Sequence, residues 1–156
     1  MAAELERDIT VGRPSVCPLD LSRGLTSRSL DHPRCWMPTV RCGNRLVLDW
    51  AADIRGLVMP MSVGFTVREQ LRQRGRLGPV IGHPGSRRVT ILTCLPDGTE
   101  QTYGDRLFAL NVSVASGSIA LPMPGDDRFR EWIESPENGF VPPMGDVIYA
   151  VLGLLR

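Results

Sequence analysis

The stretch L-G-P-V-I-G-H-P-G-S-R-R-V-T-I-L-T-C-L, residues Leu77–Leu95, decides the fold that the sequence predicts. Its first part, Leu77–Gly82, is mostly apolar and contains β-branched residues, whereas His83–Ser86 has the composition of a turn. From Arg88 to Leu95, consecutive apolar and β-branched side chains fall on alternate faces of an extended chain. Two such runs on either side of a short turn predict an antiparallel β-hairpin.

A second hairpin is predicted from Asn111–Ala115 and Ser118–Leu121, which flank a Ser-Gly dipeptide. A two-residue loop at this dipeptide would pair Val114 with Ile119. The side chains directly opposite each other would then share one face, which burial requires. The residues expected on that buried face are Val112, Val114, Ile119 and Leu121.

Three further segments carry helical signals. The sequence T-V-R-E at Thr66–Glu69 is a capping box, which predicts a helix over residues 67–74 that Gly75 ends. Asp126–Ile133 predicts a short helix with acidic residues at its positive end. Met144–Leu155 has a wide apolar face and predicts a buried C-terminal helix.

These elements do not alternate regularly, so the predicted fold class is α+β: a single small domain with an antiparallel or mixed sheet, two hairpins and a C-terminal helix. Residues 46–156 are assigned to this domain, in which Leu46–Ile54 fits either a short strand or a helix. Residues 1–45 lack a convincing apolar period and are expected to form a flexible or loosely docked N-terminal arm. The polar start, M-A-A-E-L-E-R-D-I-T, does not match a secretory signal, and no window reaches the ~18 apolar residues of a membrane span. We therefore expect a cytoplasmic protein that does not enter a membrane.

The composition of the chain excludes several kinds of catalytic site. All 18 basic residues are arginine, so a Schiff-base lysine, a lysine general base and a lysine-containing phosphate loop are excluded. The sequence also lacks G-x-G-x-x-G, a Walker loop and G-x-S-x-G. We therefore expect no cofactor and favour a protein that is not an enzyme. His83 precedes a proline in the predicted turn, and we interpret it as a polar loop residue.

The candidate metal ligands are His32, Cys35 and Cys42, which form H-x2-C-x6-C, with Cys17 upstream as a fourth. Structural zinc is usually held by two closely spaced pairs of ligands, and only His32 and Cys35 are close enough here. We therefore expect no metal and interpret the cysteines as small, reduced hydrophobic residues.

The charged residues are distributed unevenly, although the net charge is only +1. Six arginines and one acid, Glu69, lie between Thr66 and Arg88, whereas nine acids and four arginines follow from Val89 onward. Arginine binds carboxylate or phosphate as a rigid fork, so the basic segment is the best binding candidate. The candidate binding residues are Arg68, Arg72, Arg74, Arg76, Arg87 and Arg88.

This arginine cluster has three interpretations. It is a solvated face, a contact with protein, or a phosphate-binding surface for nucleic acid. The protein contact includes the acidic half of the same chain or of a second copy. No aromatic residue interleaves the arginines, which disfavours a stacking platform for single strands. The leading hypothesis is a non-catalytic binding or regulatory module in a protein complex. A nucleic-acid-binding accessory protein and a small enzyme of unknown class are the alternatives.

Three segments also carry a resemblance to known proteins: G-P-V-I-G-H-P-G-S-R-R-V-T-I-L-T (Gly78–Thr93), L-F-A-L-N-V-S-V (Leu107–Val114) and I-A-L-P-M-P (Ile119–Pro124). They resemble a group of short actinobacterial proteins of unassigned function. More loosely, they resemble part of the N-terminal module of bifunctional DNA primase–polymerases, over roughly residues 59–155. Nucleotidyl transfer in that family needs paired carboxylates to hold two divalent metals, and this chain has no D-x-D. The resemblance therefore implies a shared fold and a non-catalytic relative.

Overall fold

The computed structural model describes residues 39–42, 45–48, 54–94, 96–115, 118–123, 128–136 and 139–155. The strands are β1 (Thr39–Cys42), β2 (Arg45–Leu48), β3 (Ile54–Pro60), β4 (Val80–His83), β5 (Arg88–Cys94), β6 (Ser113–Ala115), β7 (Ala120–Leu121) and β8 (Glu131–Glu134). The helices are α1 (Met61–Gln73), α2 (Thr99–Thr102), α3 (Gly104–Ala109) and α4 (Met144–Leu152).

The strands form two sheets, and every pair of neighbouring strands is antiparallel. The larger sheet has the order β6-β3-β5-β4-β8, and the smaller has the order β1-β2-β7. One buried cluster joins the helices to the larger sheet, and a second cluster joins the opposite face of that sheet to the smaller one. The predicted α+β class is therefore confirmed, with β1–β2 and β4–β5 as hairpins and the layers helix, sheet and sheet.

Strand β5 is the middle strand of the larger sheet, and its side chains are buried on both faces. Ile91 faces the helices, and it lies opposite Leu57 of β3 and Val80 of β4. Leu92, the next residue, points the other way and is buried against the smaller sheet. A strand can bury the side chains of both its faces only where other layers cover the sheet on both sides.

The hairpin predicted from the opening stretch is confirmed, with β4 and β5 as its strands. His83 pairs with Arg88 next to the turn. The turn is a 3-10 turn at Pro84–Ser86, and it ends at Arg87, whose φ of 54° is left-handed. The Pro-Gly-Ser sequence therefore does form the connection between these strands.

The second predicted hairpin is wrong, because its two strands join different sheets. Strand β6 pairs with β3, where Val114 lies opposite Leu57, and β7 pairs with β2, where Leu121 lies opposite Leu46. The alternation of apolar and polar residues along a strand indicates which side chains are buried, but it does not indicate which strand lies next to it. The burial prediction holds in part despite the wrong pairing: Val112, Ile119 and Leu121 are buried, and Val114 is half-buried. The predicted shared face is wrong, because Val112 and Val114 pack in the helix-side cluster, whereas Ile119 and Leu121 pack in the cluster of the smaller sheet.

The capping box predicted at Thr66 is also wrong. Helix α1 begins at Met61, directly after β3, and the Thr66 hydroxyl donates to the carbonyl of Ser62 inside the helix. The backbone N–H of Met61 is already bonded to the carbonyl of Arg87, so the helix start is fixed by tertiary contact. The predicted end is confirmed, since the helix stops at Gln73 and Gly75 has a φ of +64°.

The short helix predicted over Asp126–Ile133 is contradicted in its described part. Glu131–Glu134 form β8, an edge strand that pairs with β4. Ile133 packs against the helix-side cluster, whereas Trp132 packs against the cluster of the smaller sheet. Trp132 and Ile133 thus point to opposite faces of the sheet, as consecutive residues of extended backbone do.

The predicted C-terminal helix is confirmed as α4, followed by a 3-10 turn at Gly153–Leu155. Its apolar face is buried within the domain, and Val147, Ile148 and Val151 are fully inaccessible. Among the helices that the structure describes, none is both long enough and apolar enough to cross a membrane.

The N-terminal arm predicted over residues 1–45 lies mostly outside the described residues. Its described part, β1, pairs with β2 from Thr39 opposite Leu48 to Cys42 opposite Arg45. The smaller sheet therefore includes residues that precede position 46.

Candidate functional site

Two of the six candidate arginines meet at a single carboxylate. Arg68 and Arg72 lie one turn apart on α1, and both donate to Oε1 of Glu134 on β8. The Nε of Arg68 is 2.6 Å from this oxygen, and Nη2 of Arg72 is 2.7 Å from it. The Nη2 of Arg68 also contacts the same oxygen. Arg68 and Glu134 are largely covered, with 24% and 26% of their side chains exposed, whereas Arg72 is 45% exposed.

The sheet explains why Glu134 reaches the helix. Glu134 lies opposite Val80 of β4, which belongs to the cluster beneath the helices, whereas Trp132 lies opposite Ile81, so the register of β8 shifts by one residue at Ile133. Because of this irregularity, Ile133 and Glu134 both lie on the helix side although they are consecutive. Side chains directly opposite each other on neighbouring strands share a face, so Glu134 points toward the helix layer. Arg68 and Arg72 are four residues apart and therefore lie on the same side of α1, facing this edge of the sheet.

Arg72 also contacts a second acid on the helix itself. Nη1 of Arg72 donates to Oε2 of Glu69 at 2.9 Å, and Nε2 of Gln73 donates to the other oxygen of Glu69 at 3.2 Å. Two arginines and two glutamates therefore form one charge-balanced group across the gap between α1 and β8.

Arg76 pairs elsewhere. It lies three residues beyond the end of α1, and its Nε is 3.3 Å from Oδ2 of Asp146 in the first turn of α4. Both side chains are 35% exposed. Acids of the C-terminal half thus form ion pairs with Arg76 as well as with Arg68 and Arg72.

Arg88 joins two backbone segments through hydrogen bonds. Its Nη2 donates to the carbonyls of Asn111, at 2.8 Å, and of Val58, at 3.2 Å, and its Nη1 donates to Oδ1 of Asn111 at 3.1 Å. Asn111 has a φ of 55°, so the guanidinium ties a left-handed turn to strand β3. Three of its donors are therefore engaged with the fold rather than directed at a partner.

The six arginines do not share one surface. The carbonyl of Arg87 binds the first residue of α1, so Arg87 and Arg88 lie at the start of the helix. Arg74 and Arg76 lie at its end, about 20 Å away for 13 residues at 1.5 Å each. Arg74 and Arg87 are exposed, and neither side chain pairs with another residue in the described part of the chain.

An exposed aromatic residue that the sequence analysis did not predict as part of the site lies beside this group. Phe65 is 43% exposed on α1. It lies one turn before Glu69 and two turns before Arg72, so the three form a stripe on the outer side of the helix. The spacing i, i+4, i+7 was visible in the sequence, but the helix was predicted to begin after Phe65. We define the α1–β8 surface as Phe65, Arg68, Glu69, Arg72 and Glu134.

The metal candidates remain predictions. His32 and Cys35, like Cys17, lie outside the described residues, and so does the side chain of Cys42. Across the described ranges, no three His, Cys, Asp or Glu side chains come close enough to hold a metal ion. His83 is partly buried in the hairpin, where its Nε2 is 2.8 Å from the hydroxyl oxygen of Thr90.

Comparison of the chain with protein-family models, with curated proteins and with solved structures finds no match. The resemblance to the primase–polymerase module therefore stays a prediction.

Proposed function

We propose that this protein is a non-catalytic binding module of a protein complex and that it contacts its partner through the α1–β8 surface. The observation that carries the proposal is an exposed aromatic side chain, Phe65, next to arginines whose charges are balanced locally by Glu69 and Glu134. Protein interfaces are enriched in aromatic residues and arginine, and their binding energy is concentrated in such residues.

The charge balance disfavours a phosphate backbone as the ligand. Nucleic-acid binding gains its affinity from cations that replace counterions along the backbone. On the α1–β8 surface, two glutamates accompany the two arginines, and Glu69 is 51% exposed. Among the six candidate arginines, the two exposed ones that form no ion pair with a described residue, Arg74 and Arg87, lie at opposite ends of α1. They do not form a continuous basic track with Arg68 and Arg72.

Affinity capture with two phenylalanine variants tests the proposal. Tagged wild-type protein and Phe65→Ala are used to capture partners from a nuclease-treated lysate of the native host. A hot-spot truncation costs about 2 kcal/mol or more, so we expect the affinity for the captured partner to fall by about thirtyfold. Phe108→Ala is the matched control, since Phe108 is 85% exposed but lies on α3. We expect it to retain the partner.

Two results would contradict the proposal. Equal loss of the partner in both variants would mean that the α1–β8 surface is not the contact surface. Capture of the partner only from a lysate without nuclease, together with binding of duplex DNA that weakens steeply with salt, would favour the nucleic-acid-binding alternative.

A further inference from the structure

We propose that the α1–β8 surface receives an acidic peptide segment of the partner and that Glu134 occupies this site as an internal competitor. This inference rests on the proposed function, because it specifies the chemistry of the partner at the same surface. It assigns to Arg68 and Arg72 the role of binding a carboxylate supplied by another chain.

The bound carboxylate of Glu134 shows what the site recognises. Two guanidiniums from consecutive helical turns converge on one carboxylate oxygen, with 2.6 Å from Arg68 Nε and 2.7 Å from Arg72 Nη2. Hydrogen bonds between guanidinium and carboxylate are short and strong because both partners are charged. The site is therefore already arranged for a carboxylate before a partner arrives, and the internal ligand shows this arrangement directly.

Arg72 is where an external carboxylate would enter. It is 45% exposed, whereas Arg68 is 24% exposed, so Arg72 forms the outer side of the site. Phe65 lies two turns along the same stripe and offers an apolar contact to the peptide beside the acidic side chain. An incoming acid must compete with Glu134 for these donors, and its apparent affinity falls with the fraction of time that Glu134 occupies them.

A carboxylate fits this site better than a run of phosphates. Duplex DNA presents one negative charge per about 1.7 Å, so several phosphates would approach the surface at once. The exposed carboxylate of Glu69 lies next to Arg72 and would repel the additional charges. A peptide with spaced acidic side chains can place one carboxylate between the arginines and keep the others away from Glu69.

The test measures, by fluorescence anisotropy at low salt, the binding of a labelled eight-residue glutamate peptide, in which glycine and serine residues separate two glutamates. If Glu134 leaves the site open about one-tenth of the time, it weakens the apparent affinity of wild type about tenfold. We therefore expect Glu134→Gln to bind the peptide about tenfold more tightly than wild type does. Glutamine keeps a hydrogen-bond acceptor for both arginines but removes the competing charge. Adding Arg72→Gln to this variant should return the affinity to the wild-type value or below it.

Asp105→Asn is the control for net charge, because Asp105 is exposed on α3 and its replacement removes the same unit of charge. We expect it to change the affinity less than twofold. Thermal unfolding of each variant checks the fold. If Glu134→Gln does not fold, Arg72→Gln in the wild-type background takes its place, with a loss of binding of several-fold expected.

The inference is overturned if Glu134→Gln binds the glutamate peptide no better than wild type, or if Asp105→Asn improves binding equally. It is also overturned if Glu134→Gln prefers duplex DNA of equal charge to the peptide. Partner capture that still depends on Phe65 would then leave the proposed function standing, so the two failures are distinguishable.

Discussion

Replacing Leu57 with alanine is expected to lower the free energy of unfolding by about 2–5 kcal/mol. Leu57 is fully inaccessible on β3, and it lies between Ile91 of β5 and Val114 of β6. Truncation removes buried methyl groups and leaves a cavity that the flanking strands cannot close, because both are held in register by the sheet. Since small domains have only about 5–15 kcal/mol of stability, this single change removes a large part of it.

Urea unfolding monitored by circular dichroism measures this loss as a lower midpoint at an unchanged slope. The matched control is Leu155→Ala, because Leu155 is 48% exposed in the 3-10 turn that follows α4. The control should stay within about 0.5 kcal/mol of wild type. Similar midpoints for both leucine variants would show that Leu57 is not at the centre of the helix-side core.

Replacing Gly64 with alanine is expected to destabilise the protein by about 1–3 kcal/mol, the usual cost of overpacking. In an ordinary helix the same change stabilises by about 1 kcal/mol. Gly64 is buried on α1, where an added Cβ would collide with Cγ2 of Val89 and lie 3.3 Å from Cγ of Met59. Val89 is β-branched and lies on the central strand, so it has few alternative rotamers with which to make room.

Gly104→Ala is the control for helix propensity. Gly104 is the first residue of α3, and an added Cβ there meets no described atom within 4 Å. We expect a change between zero and about 1 kcal/mol of stabilisation. Thermal unfolding measures both variants. If Gly64→Ala raised the melting temperature as much as Gly104→Ala, α1 would not lie as close to β5 as the structure shows.

The parts of the fold that sequence predicted are those with local signals. The β4–β5 hairpin has both strands and its turn within one short stretch, and α4 has its whole apolar face in nine residues. Strand β6 has only three residues, and its partner β3 lies more than fifty residues earlier. Alternation marked the buried side chains of 112–121 correctly, but two strands separated by a short loop need not pair with each other.

Only the part of the candidate site that has a local sequence signal was predicted. The helical spacing of Arg68 and Arg72 placed them on one face, and the structure confirms this shared face. Glu134, which binds both, is 66 residues away from Arg68, and no local pattern indicated that contact. Its segment was predicted to be a helix, so the edge strand that carries Glu134 to the arginines was also missed.

Amide hydrogen exchange of the protein, alone and with its captured partner, shows which elements the partner covers. We expect slower exchange in the complex at residues 61–73 of α1 and 131–134 of β8, because a bound partner covers these elements and suppresses their local opening. Exchange in α2 and α3 should be unchanged. Protection confined to α2 and α3, with none at α1 or β8, would contradict the claim that this protein binds its partner through the α1–β8 surface.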